Sequence, residues 1–216
     1  MQAARWGAGE PGMTCLRGWL GGAAFLLLVQ PTAAESAAPS QVIDGLHEVL
    51  LGVMRDATKL GYEGRAAKLA PAIPEFYDVA FMAEKSVGRH WKTASESDRE
   101  RLLAAFLRFM IANYAGQFDG YSGQHFETLG EEPARMDTVL VKSRLVSPKE
   151  ANVELNYRMH QVGGEWKIID VYLDGTVSEL ALRRSEFSGI VKREDFDALI
   201  AAIDARIEAL ASGAES

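Results

Sequence analysis

Apolar positions along the central part of the chain follow two rhythms. Val42, Ile43, Leu46, Val49, Leu50 and Val53 fall three and four residues apart between Val42 and Thr58, the spacing that gathers side chains on one face of a helix. Gly61 ends that run, and a short helix from Tyr62 to Ala70 follows. Pro71 and Pro74 are predicted to interrupt the pattern, because each ring disfavours helical backbone at the residue before it. Phe76, Val79, Ala80, Phe81 and Met82 resume it as far as Gly88. The clearest helix starts at Ser95, where Asp98 completes a capping pattern and Glu96 and Glu100 put acid on the first turn. Leu102, Leu103, Phe106, Phe109, Met110 and Tyr114 then build its apolar face until Gly116 or Gly120.

Beyond Tyr121 the period drops to two. His125 to Gly130 reads as a first strand, and Val139, Val141 and Leu145 alternate with Lys142 and Arg144. Ala151, Val153, Leu155, Tyr157 and Met159 alternate with Asn152, Glu154, Asn156, Arg158 and His160, as in a half-buried antiparallel strand. Gly163-Gly164 makes a tight hairpin turn. Trp166 to Leu173 is apolar on both faces and is expected nearer the sheet centre, and Asp174-Gly175 closes the sheet. Helices from Ser178 to Val191 and along the Phe196, Leu199, Ile200, Ile203, Ile207, Leu210 stripe end the chain. The pattern predicts an α+β fold: an antiparallel sheet of about four strands with N-terminal and C-terminal helices packed on one face.

The first residues fit no part of that fold. Arg5 and Arg17 precede an apolar run from Trp19 to Val29, and Thr32, Ala33 and Ala34 follow. Charge, apolar core and small residues in that order are expected to form a cleavable secretory signal over 1–34, with Met13 a more compact starting point than Met1. The run is about 11 residues, against roughly 20 for a bilayer span. A flexible tether over 35–41, one domain over 42–211 and a disordered tail over 212–216 complete the expected organisation. Cys15, the one cysteine among 216 residues, lies in the signal, which leaves the exported chain without disulfides or thiol chemistry. The expected location is the periplasm.

A hydrophobic fraction of 48% permits a sizeable core, and a net charge of −7 argues against nucleic acid as a partner. Chemistry is sparse. There is no glycine-rich phosphate loop, and Gly120-Tyr121-Ser122-Gly123 reads as a turn rather than a nucleophile elbow. His47, His90, His125 and His160 are scattered, so no metal and no cofactor is expected. Asp170 shares a strand face with Trp166, Ile168 and Tyr172, where an acid needs a partner. Either it pairs with Arg183 or Arg184 of the next helix, or it is a general base in a pocket, with Tyr157 or Tyr172 as proton donor. Facing helix and sheet surfaces offer Phe106, Phe109, Met110, Tyr114, Val153, Leu155, Tyr157, Met159, Ile169, Val171 and Leu173. On periodicity alone these form a core.

Three stretches together resemble the MlaC, or toluene-tolerance, family of ABC transporter auxiliary components. They are Val87-Gly88-Arg89-His90-Trp91 with the Ser95-capped helix to Ala112-Asn113-Tyr114-Ala115, then Leu155-Asn156-Tyr157-Arg158-Met159, then Trp166-Lys167-Ile168-Ile169-Asp170-Val171 with Asp174-Gly175, Arg184, Phe187 and Phe196-Asp197-Ala198-Leu199-Ile200. The stretch from Leu173 to Phe187 resembles instead the hopanoid-associated HpnM branch. The resemblance implies a non-enzymatic, monomeric lipid-binding shuttle for phospholipid or hopanoid. It implies an inner-membrane transporter and an outer-membrane lipoprotein complex as partners, and turns the facing apolar surfaces into the walls of a lipid cavity. A small cone-fold enzyme using Asp170 and a ligand-free periplasmic adaptor with a filled core are the alternatives.

Overall fold

The first helical rhythm becomes α1 (Pro39–Arg55) in a computed structural model that describes residues 37–213. The expected signal, Cys15 and the last three residues lie outside that range. Pro39 to Gln41, expected in the tether, are already helical, since proline suits the first turn of a helix. The Ile43, Leu46, Leu50 and Val53 stripe is fully or almost fully buried. α2 (Ala57–Phe76) holds the break expected at Gly61, whose φ of 60° and ψ of −176° are not helical. The interruption expected at Pro71 and Pro74 does not occur. Leu69, Ala72, Ile73 and Phe76 are all buried, and that packing outweighs the hydrogen bonds the prolines cannot donate. α3 (Val79–Val87), α4 (Glu96–Gln117), α5 (Glu179–Arg193) and α6 (Phe196–Ser212) are the other α-helices among the described residues, with a 3-10 helix over Gly88–Thr93.

Each late helix has a side-chain cap. Ser95 accepts from the Asp98 amide at 3.1 Å at the start of α4, and Asp195 accepts from Ala198 at 2.8 Å at the start of α6. Asp195→Ala is expected to lower stability by about 1 kcal/mol, read as a lower denaturation midpoint at unchanged slope.

The sheet is an antiparallel meander in chain order: β1 (His125–Ala134), β2 (Thr138–Val146), β3 (Val153–Val162), β4 (Glu165–Leu173) and β5 (Val177–Ser178). The fold class is the expected one, with a fifth strand of two residues added beyond Asp174 and Gly175, both at positive φ. β4 is therefore the last long strand, not a central one. Its far edge is covered by β5 at one end and by Tyr77 at the other, where the Asp78 amide donates to the Ile168 carbonyl at 2.9 Å. That cover explains its apolar character on both faces. Leu155, Tyr157, Met159, Ile168 and Val171 are buried beneath the helices. Elsewhere on the sheet Arg144 pairs with Glu127 at 2.6 Å and Lys142 with Glu132 at 2.8 Å, both in solvent, where such pairs contribute little.

Candidate functional site

The apolar faces of helix and sheet meet along a seam that is mostly filled. α4 supplies Phe106, Phe109, Met110 and Tyr114, three and four residues apart, and β3 and β4 supply Leu155, Tyr157, Val171 and Leu173. A void of about 80 Å³ remains among these eight expected wall residues. Register explains the pairing: Leu155 stands opposite Leu173 and Tyr157 opposite Val171, so all four point to the same side.

Three expected wall residues fall elsewhere. Val153 is 37% exposed at the start of β3, short of the helices. Met159 is fully buried in the core beyond the void. Ile169 faces another cavity because of a bulge: Arg158 pairs with Asp170 but Met159 with Ile168, so β4 carries one extra residue and its alternation reverses. Sequence reasoning missed Tyr77, Met82, Phe118 and Leu180, and the polar side chains of Asn113, Gln117, Glu179 and Arg183. Asn113 lies three residues after Met110 and Gln117 four after Asn113, so the spacing that finds Met110 also reaches them.

The expected ion pair of Asp170 with Arg183 or Arg184 is absent. Asp170 instead accepts from the Ser178 hydroxyl at 2.6 Å and the Leu180 amide at 3.0 Å, tying β4 to the first turn of α5. Burial pushes its carboxyl above the ordinary range, against those hydrogen bonds and the attraction of Arg158. Arg183 pairs with Glu179 at 3.4 Å and Glu186 at 3.0 Å and lies 5.0 Å over the Phe109 ring. Arg184 rests against the backbone at Gly88. Neither Tyr157 nor Tyr172, the expected proton donors for Asp170, lines the cavity that Asp170 faces.

Buried polar groups in the seam are satisfied in pairs. The Tyr77 and Tyr114 hydroxyls hydrogen-bond each other, and burial raises both, Tyr114 to about 12. His47 Nε2 lies 3.3 Å from the Tyr157 hydroxyl, and its ring stacks on Phe126 with centroids 4.0 Å apart. Burial lowers the His47 pKa to about 4, with Asp44 opposing weakly, so the ring is neutral near pH 7. His160, expected in solvent, contacts Asp78 at 2.8 Å. Among the described residues no group of three histidine, cysteine or acidic side chains is placed to hold a metal ion, and no helix is long and apolar enough to cross a membrane.

A model of the MlaC protein family matches residues 45–205. Among solved structures, the chain is similar to that of a phospholipid-binding protein from Ralstonia solanacearum in complex with a phospholipid. The two have a TM-score of 0.71 and 21% identity, over 81% of this chain and 99% of the other. At that identity the likeness is one of fold.

Proposed function

The chain belongs to the MlaC family, and from that premise we propose that it is a periplasmic lipid carrier that catalyses no reaction. Its ligand is a phospholipid or, as in the hopanoid-associated branch, a hopanoid. It receives that ligand from one membrane and delivers it to another, as a monomer, through an inner-membrane transporter and an outer-membrane lipoprotein complex. The observation that carries this reading is the seam, where aromatic, Met and branched side chains of α4, β3 and β4 surround a void that also has polar side chains in its lining. A relative in fold that holds a phospholipid supports it.

Physical chemistry favours an enclosure of this kind. Each CH₂ exposed to water costs about 0.8 kcal/mol, so a long-chain lipid needs an apolar container to cross water. Exchanging one apolar enclosure for another changes the free energy little, and the carrier then needs no nucleotide site of its own. A void of about 80 Å³ is below the roughly 300 Å³ at which ligand sites begin, so loading requires the walls to part. α5 is the wall suited to move: of its 15 residues only Phe187 and Val191 are buried. Met82 and Met110, flexible and unbranched, suit a lining that changes shape.

Lipid extraction and mass spectrometry of protein purified from its own periplasm tests the proposal. One lipid class is expected in near-stoichiometric amount. Val171→Phe, which places a ring in the void, is expected to cut retained lipid about tenfold while the far-ultraviolet circular dichroism stays unchanged. The small void also favours a rival, an adaptor with a filled core. That rival gains if no amphiphile is found or can be loaded, and the carrier proposal then fails.

A further inference from the structure

Leu180 borders two cavities. One is the helix–sheet void; the other, of about 390 Å³, lies where α3 and the first turn of α5 meet β3 and β4. The second differs in kind. Phe81 and Leu180 give it apolar surface, while Lys85, Arg158 and Arg184 bring three cationic groups against one carboxylate, that of Asp170. In a chain of net charge −7, such a local excess of positive charge runs against the overall balance.

Neither guanidinium group is engaged in an ion pair with a described residue, and Arg158 is fixed by hydrogen bonds. Arg158 donates from Nε to the Thr138 hydroxyl at 3.0 Å and from a terminal nitrogen to the Arg135 carbonyl at 2.8 Å. Those acceptors are neutral, and Asp170, opposite Arg158 on the next strand, attracts it without forming an ion pair. Arg184 lies so close to Gly88 that a Cβ there would stand 3.1 Å from its Nε, and Gly88 also has φ +56°. The positive φ favours glycine at that position, and the missing Cβ lets the arginine approach closely. Asp170, the acid in the cavity wall, turns its oxygens to Ser178 and Leu180. Lys85 pairs with Glu84 at 2.5 Å and lies 4.9 Å from the Phe81 ring centre. What the cavity lacks is an acid ion-paired with the arginines, and two guanidinium groups facing one space favour an anion with several oxygens.

We propose that this second cavity binds a phosphate-type anion between Arg158 and Arg184, and that Leu180 is the boundary across which an attached apolar chain reaches the helix–sheet void. The anion site stands on the arginines alone; only the crossing at Leu180 rests on the lipid-carrier reading. A phosphodiester headgroup and free phosphate share the chemistry, and the test separates them.

Delipidated protein is titrated with inorganic phosphate, with dihexanoyl phosphatidylglycerol below its micelle concentration, and with uncharged dihexanoyl glycerol, following backbone amide shifts. Phosphate and the phosphatidylglycerol are expected to shift Gly88, Leu180 and Ala181, the phosphatidylglycerol binding more tightly. Arg184→Gln is expected to weaken both about tenfold and to leave the uncharged diacylglycerol unaffected, while Arg184→Lys recovers part of the loss. Thermal unfolding of both variants checks that the fold is kept. If phosphate binds at Arg184 as tightly as the phosphatidylglycerol does, the anion site stands and the crossing at Leu180 is overturned. Binding of phosphate with no binding of either diacyl compound upholds the site and sinks the lipid-carrier reading. Anion affinities indifferent to Arg184→Gln, or shifts confined to other residues, overturn the site.

Discussion

Phe106→Ala should destabilise the lipid-free protein by about 3–5 kcal/mol. Phe106 is 2% exposed and meets Phe187 edge to face, with ring centroids 6.3 Å apart and planes at 89°. Deleting the ring removes buried apolar surface, breaks the aromatic pair and enlarges a void that already exists, so the surroundings recover little by collapse. Denaturant unfolding of delipidated wild-type and variant protein measures the loss. The same comparison on lipid-loaded protein is more informative. If an acyl chain lies against Phe106, it fills part of the enlarged space, and the gap between variant and wild type narrows. A filled core with no guest gives the same gap in both preparations. One substitution thus separates a structural ring from a ring that is also a cavity wall.

The difficulty of that distinction explains how much could be read beforehand. Periodicity follows from which side chains avoid water, and a lipid-facing wall avoids water as a core does. The spacing of Phe106, Phe109, Met110 and Tyr114, and the alternation of Leu155, Tyr157 and of Val171, Leu173, placed eight side chains on the right surfaces. It gave no indication whether those surfaces enclose a space. Alternation also assumes an unbroken ladder. The extra residue in β4 sends Ile169 to the opposite side, and the adjacent Ile168-Ile169 pair does not mark the bulge, since each is apolar in either register. Asp170 was unreadable for a related reason. Its partners are a hydroxyl and an amide brought near by β5, a two-residue strand with no periodicity to detect, whereas the nearby arginines stand out in the sequence by their charge. Pro71 and Pro74 show the opposite case, a strong local signal overridden by tertiary packing.

Acidification should weaken the fold through one buried side chain of α1. His47 is 4% exposed, stacked on Phe126 and within hydrogen-bond distance of Tyr157, and its pKa is lowered to about 4 from an ordinary 6.5. Between those values the unfolded chain takes up a proton that the folded protein refuses, so protonation favours unfolding. The neutral ring's contribution is complete above about pH 6.5 and is lost progressively as the pH falls towards 4, on the order of 3 kcal/mol in all. His47→Gln keeps a partner for the Tyr157 hydroxyl but cannot titrate. Urea unfolding at several pH values from 7.5 to 4.5 should show wild-type stability falling more steeply than that of the variant, with the difference concentrated below pH 6.5. Parallel curves would mean that His47 is protonated in the folded state without penalty, and the stacked, neutral arrangement would then be wrong. Because Tyr157 also lines the void beside α4, charging His47 perturbs the wall through the Tyr157 hydroxyl. The same acid range should therefore loosen bound lipid before the protein unfolds, which lipid release measured at pH 5 against pH 7 would reveal.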